Sequence, residues 1–364
     1  MKIAVFGHKH VCTREGGIEV VVSELYSRIG HIADVTVYDR WELDGDYKKP
    51  DGRDLPYRIK RSPTLKMSAL NATIASFMST LQCLFGKYDI VHVHAEGPCV
   101  FLPLLKKKNV VATCHGLDWQ RAKWGGFAKW YIHLGEKMMV KYADRLIVLT
   151  DDMRRYFRET YGRETVLIEN GVTVEINEDT NELDRFGIEP GNYILYTGRL
   201  VPEKRIDLLI NAYILSGRKE KLVIAGKLPD TPDDEIEFAR QEDNIVFTDF
   251  ATGALLKQLY THAKAFVLPS DLEGQSLSLL EGMAYGIPCI VSDIPENRKT
   301  AGKFGHVFKA GDIESLTEQL RNLDTFCKTD PYEQRLYVAR NHDWDTVAKK
   351  TMEVYKNVIS EEAR

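Results

Sequence analysis

The sequence predicts an α/β protein of two Rossmann-like, doubly wound parallel-sheet domains, and three observations carry that prediction. Short β-branched runs alternate with helix-length stretches along the whole chain, and each run closes on a turn or a helical pattern. The length, 364 residues, exceeds what one ordinary core organises. Apolar residues make up 44% of the chain, enough to fill two cores and to exclude a disordered or fibrous polymer.

The strand-like runs of the first half are Ile3–Phe6, Val35–Tyr38, Ile90–His94, Val110–Thr113, Leu146–Leu149 and Thr165–Ile168. The second half repeats the style with Tyr193–Thr197, Lys221–Ala225, Ile245–Phe247, Ala265–Leu268 and Pro288–Ser292. Between them Glu169-Asn170-Gly171-Val172 gives way to the polar stretch Thr173–Asp184. The expected division is therefore an N-terminal domain over 1–172, a linker over 173–184, a C-terminal domain over 185–341 and a closing segment over 342–364. From Trp344 to Ile359 the apolar residues fall mostly at helical spacing, with Asp343 or Asp345 placed to cap, so the chain closes on an amphipathic helix directed back towards the N-terminal domain. No internal repeat is visible.

Met1–Gly7 lacks the longer apolar core and cleavage site of a signal peptide. No segment approaches the roughly 20 apolar residues of a membrane-spanning helix. The cysteines Cys12, Cys83, Cys99, Cys114, Cys289 and Cys327 are scattered without paired ligand spacing, which implies a reduced, cytoplasmic setting. The net charge of -4 divides unevenly, because 1–172 is net basic and the remainder net acidic. A basic half fits an anionic partner such as a membrane surface, a phosphate-bearing acceptor or nucleic acid, or is ordinary solvated charge.

The sharpest constellation is the segment Ser270–Ala284, in which a strand runs into a small polar loop and then into a helical pattern after Ser276. Backbone N–H groups and the positive end of the helix would meet a phosphate at the carboxyl edge of the sheet. Helix-end effects of ~0.3–1 kcal/mol do not hold a diphosphate alone. Gly198-Arg199, directly after Tyr193–Thr197, and Lys204, about one turn later, supply the further cations of a pyrophosphate clamp. Taken alone, such a pair reads as a solvated loop. Glu273 and Glu281 share one strand-loop-helix unit and would address different parts of an elongated ligand, since carboxylates accept hydrogen bonds from sugar hydroxyls. On spacing alone Glu281 reads as surface decoration.

Gly198–Lys204 followed about seventy residues later by Pro269–Pro288 resembles the donor-site signature of glycosyltransferase family 4. The resemblance extends over essentially the whole chain, including Gly16-Gly17, His115-Gly116, Asn170-Gly171-Val172 and His342-Asp343-Trp344-Asp345. It implies the GT-B fold, with two domains facing a cleft, and a retaining, nucleotide-sugar-dependent enzyme; fixed cations and backbone donors at the pyrophosphate would leave no need for a metal. It assigns Arg199 and Lys204 to the donor pyrophosphate, Glu281 to the nucleotide ribose and Glu273 to hexose hydroxyls. Gly198, Gly274 and the backbone of Gln275, Ser276 and Leu277 would reach the phosphate and sugar, His115 the sugar across the cleft, and Gly16 and Gly17 the acceptor or a phosphate. Gln275-Ser276 departs from the aromatic-glycine pair common in the family, and Thr173 stands where aspartate is common, so the sugar is not named by this loop.

A leaving nucleotide diphosphate develops negative charge that Arg199, Lys204 and the helix start would stabilise. No general base is obvious, and a front-face substitution in which the departing phosphate takes the acceptor proton needs none. The resemblance implies a lipid-linked, polyprenyl-type saccharide acceptor in bacterial surface polysaccharide synthesis, with no nucleic-acid partner. Lys106-Lys107-Lys108 and the stretch Trp119–Lys141 suit the inner face of an anionic membrane. In that stretch Trp119, Trp124, Phe127, Trp130 and Tyr131 interleave with Arg121, Lys123, Lys129, Lys137 and Lys141. The same stretch also reads as a half-buried helix whose tryptophans pack inward or stack on acceptor sugars.

Other readings remain. Asp44-Gly45-Asp46 and Asp343-Trp344-Asp345 match a metal-binding string literally, yet the first lies in a turn-like stretch and the second fits a helix start. His92 and His94 alternate in an apolar strand and fit a core or strand-end role better than a ligand role. A GT-B epimerase or phosphorylase, or a non-catalytic nucleotide-sugar-binding subunit, would share the architecture. A dehydrogenase is disfavoured, since Gly7–Cys12 lacks the glycine spacing needed against a dinucleotide pyrophosphate.

Overall fold

A computed structural model describes residues 1–42, 54–65, 70–121, 124–228, 234–325 and 330–362. Asp44-Gly45-Asp46, Lys123 and Cys327 lie outside the described residues. The chain forms two compact units, Met1–Asn170 with Trp344–Arg364, and Gly171–Asp343.

The first unit carries a seven-stranded, wholly parallel sheet. Its strands are β1 Lys2–Phe6, β2 Asp34–Glu42, β3 Arg58–Thr64, β4 Ile90–His94, β5 Val110–Cys114, β6 Arg145–Val148 and β7 Val166–Leu167, in the order β3-β2-β1-β4-β5-β6-β7. All residues of β4 and β5 are buried, as strands covered on both faces must be. Strand periodicity then sorts β4: Val91 and Val93 join the apolar core with Ala4, Phe6 and Ala112, while His92 and His94 share the opposite face. β3, Arg58-Ile59-Lys60-Arg61-Ser62-Pro63-Thr64, was not expected from the sequence. Among the described residues it pairs only with β2, and an edge strand needs no continuous apolar run.

The second unit is a six-stranded parallel sheet. Its strands are β8 Tyr193–Thr197, β9 Lys221–Ala225, β10 Ile245–Asp249, β11 Ala265–Leu268, β12 Cys289–Ser292 and β13 Gly305–Phe308, ordered β10-β9-β8-β11-β12-β13. Alternate residues feed two cores: Tyr193, Leu195, Phe266 and Leu268 on one face, Ile194, Tyr196, Ala265 and Val267 on the other. β13 is again an edge strand that the apolar pattern misses. The stretch 173–184 lies along this unit, where the Asn177 N–H donates to Thr261 Oγ1 at 3.0 Å and the Glu182 N–H to Gln258 Oε1 at 3.0 Å.

The closing helix, Trp344–Glu362, is part of the first unit and buries Trp344, Val347, Met352, Val354, Tyr355 and Val358. Asp345 accepts from Arg28 Nε at 2.7 Å.

Candidate active site

In the second unit the chain runs outward from β8 through β9 to β10, then returns to lay β11 on the other side of β8. Such a reversal opens a crevice at the carboxyl edge, because the helices leaving the two strands cover opposite faces. Residues about seventy apart in sequence are thereby made neighbours.

β8 exits through Gly198, whose φ of +152° and crowding suit glycine: an added Cβ would stand 2.8 Å from Tyr196 Oη. Tyr196 Oη donates to the Arg199 carbonyl at 3.1 Å and fixes this backbone, while Arg199 itself is exposed. Burial raises the Tyr196 hydroxyl pKa well above its ordinary value; Glu273 adds to that shift and Arg199 opposes it, so both charges act on one point.

A short turn, Pro202–Lys204, carries Lys204 into an ion pair with Glu273 of the loop after β11. The two side chains are 13% and 8% exposed, so solvent screens their attraction little. Beside them Arg205 bridges Asp207 and Asp271, donating to Asp271 Oδ2 at 2.9 Å.

Gly274, Gln275 and Ser276 are buried, and Ser276 caps the helix Leu277–Ala284, its Oγ accepting from the Leu279 N–H at 3.3 Å. The earlier N–H groups of that turn have no intrahelical carbonyl to meet. Inside the helix, Glu281 Oε2 accepts from Tyr260 Oη at 3.0 Å, and the Tyr260 ring stacks on Tyr285 with centroids 5.3 Å apart. Tyr260 also hydrogen-bonds Thr197 on β8. The carboxylate is thus held by Tyr260, which Thr197 and Tyr285 hold in turn.

The first unit has its own reversal, between β1 and β4. Gly7 has φ +115°, and a Cβ there would meet the His94 carbonyl oxygen at 2.0 Å. Gly16 is the extended N-cap of the helix Gly17–Ile29, so Gly16 and Gly17 open that helix at the end of the first loop. His115 follows β5 and meets His94 through Nε2 and Nδ1 at 2.9 Å, the rings stacked. His92 Nδ1 lies 2.7 Å from Tyr26 Oη and 2.6 Å from Tyr355 Oη, and its Nε2 lies 2.7 Å from Thr113 Oγ1. Burial lowers all three histidines, His115 to about 4 against the opposing pull of Asp118, and His92 to about 3 with further lowering from His115. His94 falls well below the ordinary range for the same reason, reinforced by its histidine neighbours. All three are neutral near pH 7.

Within the second unit Gly198, Arg199, Lys204, Glu273, Gly274, Gln275, Ser276, Leu277 and Glu281 gather at one sheet edge, while Gly16, Gly17 and His115 belong to the first unit. Sequence reasoning did not find Tyr196, Thr197 and Tyr260, which hold this edge, because a tyrosine inside an apolar run carries no local mark of what its hydroxyl meets. His92 and His94 are core residues.

The aromatic and basic stretch of the first unit divides. Trp119 turns inward, its Nε1 donating to Glu136 Oε2 at 2.9 Å, whereas Phe127 and Trp130 are 76% and 59% exposed. Lys106–Lys108 precede β5 and so lie at its amino edge, away from the Trp119 loop at its carboxyl edge, and Lys108 Nζ donates to the Gly86 carbonyl at 2.8 Å. Among the described residues no helix is long and apolar enough to cross a membrane, and no group of three His, Cys, Asp or Glu is arranged to hold a metal.

Residues 179–325 match the family model described as glycosyl transferases group 1, and residues 15–176 match glycosyltransferase family 4. The chain is 27% identical to the phosphatidyl-myo-inositol mannosyltransferase of Mycobacterium leprae, over 76% of this chain and 75% of that protein. It is 26% identical to the GDP-mannose:cellobiosyl-diphosphopolyprenol alpha-mannosyltransferase of Xanthomonas oryzae, covering 74% of each. Its fold matches sucrose-phosphate synthase from Thermosynechococcus elongatus with a TM-score of 0.84 at 18% identity, covering 99% of each chain.

Proposed function

Since this chain belongs to the GT-B glycosyltransferases of family 4 and group 1 and transfers a sugar from a nucleotide-diphosphate donor, we propose that it is a retaining, metal-independent hexosyltransferase. The proposed acceptor is a lipid-linked saccharide, polyprenyl-borne as in the Xanthomonas relative's name, used in building a bacterial surface polysaccharide. One observation carries the donor assignment: Lys204 and Glu273 are paired beside Arg199 at the edge where the helix Leu277–Ala284 begins.

Arg199 and Lys204 meet the pyrophosphate, with Lys204 exchanging its carboxylate partner for phosphate oxygens and freeing Glu273 for hexose hydroxyls. Glu281, aligned by Tyr260, takes the ribose, and the amides of Gln275 to Leu277 take the distal phosphate. As the bond from the anomeric carbon to the phosphate oxygen breaks, these fixed donors stabilise the charge that appears on the diphosphate. The acceptor oxygen bonds to the same face of the anomeric carbon, and its proton passes to the departing phosphate oxygen. His115 contributes a neutral hydrogen bond to the sugar, and Gly16 and Gly17 leave room for acceptor or phosphate.

Exposed Phe127 and Trp130, 5.7 Å apart between centroids, support peripheral contact with an anionic membrane on the cytoplasmic side. A thermal-shift screen of nucleotide sugars, followed by transfer assays on polyprenyl-diphosphate-linked and soluble acceptors, tests the assignment. Stabilisation by one donor and transfer to the lipid-linked acceptor are expected. Stabilisation without transfer to any acceptor would reduce the protein to a binding subunit. Co-sedimentation with anionic liposomes should be lost in a Phe127→Ser, Trp130→Ser variant; equal binding by variant and parent would remove these residues from membrane contact.

A further inference from the structure

Six side chains of the first unit form a continuous hydrogen-bonded chain that runs through the buried interior to half-buried His115, and the closing helix supplies one of them. From Thr113 Oγ1 the contacts run to His92 Nε2 at 2.7 Å, from His92 Nδ1 to Tyr355 Oη at 2.6 Å, and from Tyr355 Oη to Tyr26 Oη at 3.0 Å. They continue from Tyr26 Oη to His94 Nε2 at 3.3 Å and from His94 Nδ1 to His115 Nε2 at 2.9 Å. We propose that this chain is a positioning relay that holds His115 as the Nδ1–H tautomer, so that the closing helix belongs to the functional machinery of the first unit. The idea rests on the role of His115 given above, and extends it to residues that touch no ligand.

The direction of the chain follows from proton counting. Thr113 is 3% exposed and its hydroxyl has His92 Nε2 as its side-chain partner, so a Thr113 O–H that donates has that nitrogen to donate to. His92 Nε2 is then an acceptor and its proton sits on Nδ1. That N–H donates to Tyr355 Oη, Tyr355 donates to Tyr26, and Tyr26 donates to His94 Nε2. His94 therefore carries its proton on Nδ1 and donates it to His115 Nε2. The proton of neutral His115 is left on Nδ1, as a hydrogen-bond donor towards a ligand oxygen. Run in reverse, the chain leaves the buried Thr113 proton with no side-chain acceptor among the described residues and leaves His115 Nδ1 a lone pair. A sugar hydroxyl would then have to donate to His115 instead of accepting from it.

Tyr26 is the obligatory link. Tyr355 has a bypass, because Tyr26 Oη also stands 2.7 Å from His92 Nδ1. The relay therefore ranks the two tyrosines, which a purely structural role in this core does not. The histidine side-chain nitrogens of the full-length protein, read by nitrogen-15 NMR at pH 7.5, should show His115 protonated on Nδ1; a proton on Nε2 would overturn the proposal without any mutation. Tyr26→Phe should convert His115 to a mixture of tautomers and lower kcat by on the order of tenfold with little change in donor KM, and Tyr355→Phe should do much less. In a His115→Ala background Tyr26→Phe should cost nothing further, and additive losses would overturn the relay. If His115→Ala leaves transfer intact while the wild-type tautomer is Nδ1–H, the sugar role of His115 fails and the relay stands.

Discussion

The two units share one topology and solve opposite electrostatic problems at their reversals. In the second, between β8 and β11, the edge is ionic: Lys204 and Glu273 are paired, Arg199 is exposed and Arg205 is bridged to two aspartates. In the first, beside β4 and β5, His92, His94, Tyr26 and Tyr355 form a buried neutral set that reaches half-buried His115. The difference teaches what each unit is built to meet. An ionic edge with its charges already partnered can exchange carboxylate for phosphate at little desolvation cost, whereas a neutral network offers directed hydrogen bonds that carry no net charge. Sheet order alone predicts neither.

The comparison breaks first at the clamp. Arg199→Ala and Lys204→Ala should each cost on the order of 2–4 kcal/mol of transition-state stabilisation, tens- to hundreds-fold in kcat/KM, with the fold intact by circular dichroism. Near-normal turnover in both would remove the ionic edge from the chemistry.

A smaller, sharper effect separates the two carboxylates. Glu281→Ala should weaken the free nucleoside diphosphate and the intact donor alike by about 1–3 kcal/mol, and Glu273→Ala chiefly the intact donor. Calorimetric titration of both ligands checks this, and equal losses of nucleoside diphosphate affinity in the two variants would contradict the division.

Acid should distinguish the units next. His92, His94 and His115 have folded pKa values depressed below the ordinary 6.5, so the unfolded chain binds more protons than the folded one below that value. Their contribution is complete above about pH 6.5 and is lost as pH falls towards about 4 for His115 and about 3 for His92. In the second unit His306 shifts the same way but is only partly buried, while Glu220, held to about 2 by Arg218 and Lys264 against its burial, loses its contribution at lower pH. Hydrogen exchange at pH 5 against pH 7.5, corrected for the intrinsic rate, should show β4 and β5 losing protection before β8 and β11 once Glu96 is replaced by Gln, since burial raises the Glu96 carboxyl and acid would otherwise favour the first unit there. Equal loss in both sheets would remove the histidines as its cause. The smallest expected effect is none: activity should survive EDTA, because fixed cations and amides already face the pyrophosphate, and loss rescued by manganese would contradict it.

Much of this was legible in sequence where chemistry and periodicity are local. Tyr193–Thr197 and Ala265–Leu268 are apolar on both faces and could only be central strands, and the segment around Ser276 announces a helix start. β3 and β13 were not legible, since edge strands are excused from that pattern. The Lys204–Glu273 pair joins residues 69 apart and becomes visible only once β11 is laid beside β8. The relay was hidden for a different reason: alternation of His92 and His94 says that they share a face, and nothing in the sequence says that Tyr26 and Tyr355 meet them there.

The central claim is that the ionic edge of the second unit binds the donor diphosphate. Isothermal titration of a nucleoside diphosphate into the wild-type protein and into an Arg199→Ala, Lys204→Ala variant tests it most directly. The account predicts measurable binding by the wild type and a loss of roughly a hundredfold or more in the variant, which remains folded. Equal affinity in the two proteins would contradict it.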